Sequence, residues 1–576
     1  MRTRMLFQLM ITLTAILSLG CSKTVVINQD LFLSTIVFAD GPNVTKMIGS
    51  GVYTNSVSGE GDGAITYSSR TPATATVNKN TGEVTLVAPG TTIITANKAE
   101  TATYATVVAS YTLTVTDKTV STIIFSGGYE ISKMLGSDVF TNPVSGEGDG
   151  TITYSSGTPA TATVNENTGE VTFVAGGTTI ITAHKAETPT HAAAIASYTI
   201  TVHATYLPVL NITTNDNTPI INKDDWIKGK IKLFDNGSIT DLGDHEIKGR
   251  GNSTWGMPKK PYTFKLENKK SILGMESHKR WVLLANYSDK SLLRTTFAFD
   301  LGISVYDNLK WTPNNRMVEV VLNDEYIGVY QLVEQIRVDK NRVDIDLDNG
   351  DFLMEVNARL DEKYNFKTTR GVPFSFKDPE EPSQSQFNTI KLKLQEIEDI
   401  IYSDGFSDVD NGYTKYIDLE SFIDWYLINE FTKNNDAIFF SSVYMFYKDD
   451  LLYMGPLWDF DISSGNIDYN DCDKTYGYHV RNALWISRLF EDPTFSQKVK
   501  DRWNHKKDVL ISKIDGISNQ AEALSSAADN NFQRWDILGT YVWPNRIVTG
   551  SYDREVIELS NWLRNRYTWM DKEINK

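Results

Sequence analysis

The sequence predicts a multidomain protein, with two all-β units in tandem followed by a large α+β domain. Three observations predict it: an internal repeat, a change of composition near Leu207, and helical stripes that occur only after that change. STIVF at Ser34 recurs as STIIF at Ser121, SGEGDG at Ser58 recurs at Ser145, ITYSS at Ile65 at Ile152, and TGEVT at Thr81 at Thr168. Each pair is separated by 87 residues, as from Ile65 to Ile152. Both copies are rich in Thr, Val, Ile and Tyr, alternate polar with apolar residues, and are punctuated by Gly, Asn and Pro, which is the pattern of short strands joined by turns.

The run YSSxTPATATVNxNTGEVTxVAxGTTIITA resembles bacterial immunoglobulin-like domains. The resemblance covers residues 34–116 and 121–203 and implies β-sandwich spacer or adhesion modules. The Gly-rich GEGDG segment recurs in both units with no helix after it, so it reads as a loop between strands rather than a phosphate loop.

Upstream of the repeats, Arg2 and Arg4 precede an apolar stretch from Met5 to Leu19, then Gly20-Cys21. Residues 1–20 read as an export signal, with an apolar part too short for a membrane span. Leu19-Gly20-Cys21 is similar to a bacterial lipoprotein cleavage box, with Leu17 one place further from the cysteine than that box has its leucine. The expectation is a lipid-anchored protein of the bacterial envelope, acylated on Cys21. Cys472 is then left without a disulfide partner, and stability rests on the cores. The net charge of −16, without runs of Lys and Arg, excludes a nucleic-acid partner.

From Leu207 the Thr repeats stop and Trp, Lys and Phe increase. Residues 207–576 predict an α+β domain, large enough for two lobes. A helix is expected around Lys290–Phe299. Another is expected over Leu419–Phe431, where Ile423, Leu427 and Phe431 share a face, and the tail carries a helical stripe through Val556, Leu559 and Leu563. The acidic run Asp344-x-Asp346-x-Asp348-Asn349-Gly350 superficially resembles a calcium loop. However, its glycine is one place late, and Asn349-Gly350 between alternating apolar residues predicts a β-hairpin.

The chemistry is expected at GPLWDFDISSG, residues 455–465, where Asp459 and Asp461 alternate with aromatics. Upstream stand Asn435-Asp436 in a polar loop, then two apolar runs joined by Lys448-Asp449-Asp450. Those runs predict a hairpin, which folds its ends together and brings Asp436 near Asp459. Adjacent carboxylates repel unless a cation sits between them, and hard oxygen ligands suit Mg²⁺ or Mn²⁺. A Gly-containing turn, Gly249-Arg250-Gly251-Asn252-Ser253, lies between two strand-like segments, and Lys265 is on the second of them; together they offer backbone N–H groups and a cation to a phosphate.

IKGRGNSTWGMPKKPYTFKL, WVLLANYSDKSLLR, YIGVYQLVEQIRV and the late WDFD together resemble the spore-coat protein H (CotH) family of atypical kinases, over residues 207–576. The resemblance implies a protein-kinase-like fold and transfer of the ATP γ-phosphoryl group to Ser or Thr of secreted or surface proteins. It implies Asp436 as the catalytic aspartate and Asp459 as metal ligand, with Asp461 and Asn435 as further ligands. Lys265 and Glu334 become the phosphate-contacting pair, with Arg250, Asn252 and Ser253 around the nucleotide. The alternative is an inactive adhesion or glycan-binding lipoprotein whose Trp255, Trp311, Trp425 and Trp485 stack on sugars. No serine-hydrolase elbow, HExxH helix or dinucleotide fingerprint is present, and the seven histidines are scattered.

Overall fold

The computed structural model describes residues 31–204 and 207–576. The expected export signal and Cys21 lie outside them. By its internal contacts the chain divides into two units. One holds the chain up to Ile124 with Val144–Thr153 and Ala183–Ala196. The other holds Ser197–Lys576 with Phe125–Pro143 and Tyr154–Thr182.

The first unit is all-β. Asn43–Met47, Val107–Thr116, Gly90–Lys98 and Ile65–Ser69 form a four-stranded sheet in that order, and Tyr53–Thr54, Glu83–Leu86 and Ala75–Val77 a three-stranded one. Alternation drives the folding: in Gly90–Lys98, Thr92, Ile94 and Ala96 are buried and their neighbours are not. These residues pack with Val84 and Ala75 of the other sheet and with Tyr111 and Leu113, so the two sheets share one core. The same set of strands recurs 87 residues later, for example Ile65–Ser69 and Ile152–Ser156.

In the second unit, residues 207–334 build a closed seven-stranded barrel: β1 (Val209–Thr214), β2 (Ile227–Asp235), β3 (Ser238–Gly249), β4 (Tyr262–Lys270), β5 (His278–Leu284), β6 (Asn315–Leu322) and β7 (Glu325–Glu334). Its order is β1-β2-β3-β4-β5-β7-β6, closed by parallel pairing of β6 with β1. Ile231, Ile247, Phe264, Leu266, Trp281, Val320 and Leu332 fill the interior, so alternate residues of each strand point inward and the charged ones outward.

The remainder surrounds a second, larger core. It contains a five-stranded sheet, β9-β10-β8-β11-β12, from β8 (Phe352–Val356), β9 (Asn365–Lys367), β10 (Pro373–Asp378), β11 (Val443–Lys448) and β12 (Leu451–Met454). The helices are α1 (Arg294–Asp300), α2 (Gln384–Ile401), α3 (Leu419–Thr432), α4 (Leu484–Leu489), α5 (Pro493–Asp515), α6 (Ile517–Arg534) and α7 (Tyr552–Ile574).

Three local expectations change. The helix expected from Lys290 starts only at Arg294, because Asp289 turns back to accept a hydrogen bond from the Arg294 N–H at 2.9 Å. α3 is not amphipathic: every residue from Ser421 to Thr432 is buried, so the helix runs through the core rather than along its surface. It starts at Asp418, whose carboxylate accepts from the Ser421 N–H at 2.9 Å. The hairpin expected around Asn349-Gly350 is absent. Leu347–Asn349 is a 3-10 turn held by the Asp346 carboxylate and closed by left-handed Gly350, and only its return arm, β8, is a strand.

Candidate active site

The site is assembled at the end of α3. Lys433, in the left-handed conformation (φ 50°), ends the helix. Its ammonium donates to the backbone carbonyls of Asp471 (2.6 Å), Lys474 (3.1 Å) and Tyr476 (2.8 Å), which ties two loops together. The next residues form a short 3-10 turn, Asn435–Ala437, that presents Asp436. The Asp436 carboxylate accepts from the Asn435 amide and from the Ser441 hydroxyl, both at 2.8 Å.

The adjacent hydroxyl, Ser442, donates to the Asp459 carboxylate at 3.0 Å. One serine pair therefore holds both acids, which places Asp436 and Asp459 side by side as the hairpin requires. Phe439, Ser442 and Asp459 all have positive φ, at 64°, 59° and 65°. Such backbone costs on the order of 1 kcal/mol or more per non-glycine residue and clusters where function demands it.

The alternation in Trp458-Asp459-Phe460-Asp461 has a direct cause. Trp458 and Phe460 are buried and pack on Phe299 of α1, with ring centroids 6.1 and 6.3 Å away. The intervening Asp459 and Asp461 stay half-buried. Burial pushes the Asp459 carboxyl up, and the charge of Asp436 adds to it, while the Ser442 hydrogen bond and Arg250 oppose. Asp461 is pushed further up by burial and by Asp459, Asp289 and Asp436. Its carboxylate accepts from Ser288 at 3.5 Å, and its carbonyl from the Asn466 amide at 2.7 Å.

Arg250 comes from the glycine-containing turn after β3. Its guanidinium lies 5.2 Å from the centre of the Trp458 ring. Burial pulls its pKa down, and Tyr444, Asp459 and Glu355 counter that pull. Glu355 on β8 faces Tyr444 of β11 across the sheet and pairs with Lys377 at 2.8 Å. Lys377 reaches this position through a bulge: β8 and β10 pair Leu353 with Asp378 and Met354 with Phe376, which leaves Lys377 between them unpaired. Burial works against the Lys377 charge, but Tyr444, Glu355 and Glu362 outweigh it and hold the pKa raised.

The expected pairing of Lys265 with Glu334 is corrected. Lys265 on β4 pairs with Glu246 at 2.6 Å, whereas Glu334 at the end of β7 is fully buried against Arg342 at 2.8 Å. Asn252 and Ser253 lie exposed in the turn. Asn435 is brought to the site, with its amide spent on Asp436 and its oxygen accepting from Asn470 at 2.8 Å, so it positions the aspartate. Ser441, Ser442, Glu355 and Lys377 were not anticipated. The serine pair carried a faint signal, two hydroxyls between an acidic loop and an apolar run; the bulged lysine carried none. Trp425 and Trp485, two of the tryptophans expected on a sugar-binding surface, are buried in the core.

Asp436, Asp459 and Asp461 enter no ion pair among the described residues, and each sits against the others' charge. A divalent cation relieves that repulsion, and hard carboxylate oxygens are the donors Mg²⁺ and Mn²⁺ take. No group of three or more His, Cys, Asp or Glu side chains among the described residues is arranged to hold a metal ion by itself.

No curated protein matches the chain. Among solved structures, domains 4 and 5 of the S-layer protein SbsC match at 20% identity, covering 29% of this chain and 96% of that one, with a TM-score of 0.19. A longer SbsC structure, domains 1–6, matches at 18% identity over 43% of this chain and 37% of that one, with a TM-score of 0.22. A SusE-like surface-located polysaccharide-binding protein of Bacteroides thetaiotaomicron matches at 14% identity over 34% of this chain and 39% of that one, with a TM-score of 0.15. At these scores the likenesses carry no argument about function. The family described as CotH kinase protein matches residues 247–570. That span is more than half of the 576 residues and contains Arg250, Asp436, Asp459 and Asp461, and by it the chain belongs to the CotH kinase protein family.

Proposed function

We propose that the protein is an exported, lipid-anchored atypical kinase that transfers the γ-phosphoryl group of ATP to a Ser or Thr hydroxyl of secreted or surface proteins. The observation that carries this reading is the Ser441-Ser442 pair, which holds Asp436 and Asp459 together in a cluster with Asp461 and Arg250. Kinase catalytic loops place a metal-binding residue five positions after the catalytic aspartate. Here Ser441 stands five positions after Asp436 and hydrogen-bonds to it.

Asp459 and Asp461 would hold Mg²⁺ or Mn²⁺. When bound, such a cation supplies charge neutralisation for the phosphates. Asp436 accepts the proton of the attacking hydroxyl. As the new O–P bond forms, the bond from the γ-phosphorus to the bridging oxygen breaks, and ADP leaves with that electron pair. Arg250 and Lys377 take the place assigned to Lys265, with Glu355 fixing Lys377 as its acidic partner. Positioning and preorganised charge supply most of the acceleration. The two repeats act as spacers holding this domain away from the lipid anchor at Cys21.

The test is incubation of the full chain with radiolabelled ATP, Mn²⁺ or Mg²⁺ and envelope proteins, beside Asp436→Asn and Asp459→Asn. The expected result is label on Ser or Thr of an acceptor with the wild type and none with either variant. Equal labelling by all three would remove the assignment.

A further inference from the structure

The chain carries a net charge of −16, yet one face of the barrel gathers a group of cations. The half-buried ring of Trp226 is surrounded by Lys248 of β3 (5.0 Å to the ring centre), Lys265 of β4 (5.5 Å) and Arg280 of β5 (5.7 Å). Lys265 and Arg280 are direct cross-strand partners. Like charges facing each other across antiparallel strands destabilise a sheet, and Glu246 pairs with only one of the two. Beside them opens a pocket of about 590 Å³ lined by Lys228, Lys230, Lys265 and Lys279. Lys228, Lys230, Lys248, Lys279 and Arg280 form no ion pair within 4 Å among the described residues, although Glu246 and Asp244 stand opposite Lys228 and Lys230 and Asp378 and Glu380 act on Arg280. His245, 3% exposed, also lines this pocket, and neither ring nitrogen makes a hydrogen bond of ordinary geometry. The acids there, Asp244, Glu246 and Glu267, are fewer than the cations.

We propose that this face docks an extended acidic segment of the acceptor polypeptide, with carboxylates on the cation row and an apolar side chain on Trp226. The proposal rests on the kinase reading. The row crosses the four adjacent strands β2 to β5, a width of about 14 Å at the usual strand spacing. That is the length of four or five residues of extended chain. The triphosphate has its own cations in Arg250 and Lys377, so this row is left for another anion. Lys248 stands two residues before Arg250, whose charge Asp459 senses, so β3 leads from the row towards the acid cluster. A local positive field on an acidic protein selects acidic partners and speeds their arrival.

The test measures binding and needs no catalysis. Fluorescence anisotropy is read with a labelled Asp/Glu-rich peptide, a neutral peptide of equal length, polygalacturonate and a labelled ATP analogue. The proteins are wild type, the double variant Lys248→Gln/Arg280→Gln, and Trp226→Ala, each checked for an unchanged melting temperature. The expected result is binding of the acidic peptide alone among the polymers, weakened by salt and at least tenfold weaker in the double variant, with ATP-analogue affinity unchanged. Equal peptide affinity in wild type and double variant overturns the proposal. So does tighter binding of polygalacturonate, or a loss confined to the ATP analogue, which would make the row a nucleotide subsite. If the peptide binds as expected but no phosphoryl transfer occurs, the docking face stands and the kinase reading alone fails.

Discussion

Two acidic regions only six residues apart behave in opposite ways. Glu430, near the end of α3, is fully buried against Arg566 of α7 at 2.6 Å and also accepts from the backbone N–H groups of His479 (2.9 Å) and Arg481 (2.8 Å). Both of its oxygens accept hydrogen bonds. Asp436, in the following loop, stands in a cluster with Asp459 and Asp461, whose carboxyls are pushed up by burial and by the neighbouring acids, with Arg250 opposing at Asp459. The closed pair is a fastener that holds α3, α7 and the 479–481 segment in place. The open cluster stores unfavourable charge, which on the proposed reading a cation and a phosphate chain relieve. Burial alone does not separate scaffold from site; what separates them is whether the protein itself supplies the counter-charge.

The largest expected effect is on transfer. Asp436→Asn lowers kcat by about 10²–10⁴-fold, the usual range for a lost general base, and leaves the melting temperature unchanged. Arg566→Ala does the reverse: it strands a buried charge and costs about 3–5 kcal/mol of stability in urea unfolding. A comparable loss of stability in Asp436→Asn would erase the distinction between the two regions.

The cation effect comes next. Mg²⁺ at a hundred times its dissociation constant should stabilise the wild type by about 2.7 kcal/mol, and Asp461→Asn by much less. Without cation, Asp461→Asn should be at least as stable as wild type, since it removes a repelled charge. The pH dependence has a worked sign. Asp459 and Asp461 are raised above 3.8 in the folded protein, so their ionisation costs stability as pH rises through their raised values. Acidification of cation-free protein from those values down to about 3.8 therefore restores stability, while cation affinity falls over the same window. Thermal melts against pH with and without Mg²⁺ check this, and Asp461→Asn should flatten both curves. The smallest effect belongs to Ser442→Ala, which loses one hydrogen bond to Asp459, worth about 1 kcal/mol, and should weaken cation binding by severalfold.

The acids of this site were legible because alternation and hairpin logic are local: Trp458 and Phe460 had to face the core, and the runs before them had to fold back. The cations were not. Lys265 looked suitably placed on a returning strand, but barrel register sets it opposite Glu246 and Arg280, and Glu334 is taken by Arg342 eight residues on. Lys377 depends on a bulge, and a single unpaired residue leaves no trace in a sequence pattern. α3 carried an apolar face in sequence, yet its polar residues are buried too: Glu430 is met by Arg566, and Asp424 by Arg502 at 2.7 Å. Such partners lie far along the chain and become visible only when the fold is assembled.

The most direct measurement is Mn²⁺ binding by electron paramagnetic resonance, read as loss of the free-ion signal in the presence of a non-hydrolysable ATP analogue. The account predicts that wild-type protein takes up Mn²⁺ and that Asp459→Asn/Asp461→Asn does not, while without metal the variant melts no lower than the wild type. Equal uptake by the two proteins would contradict it.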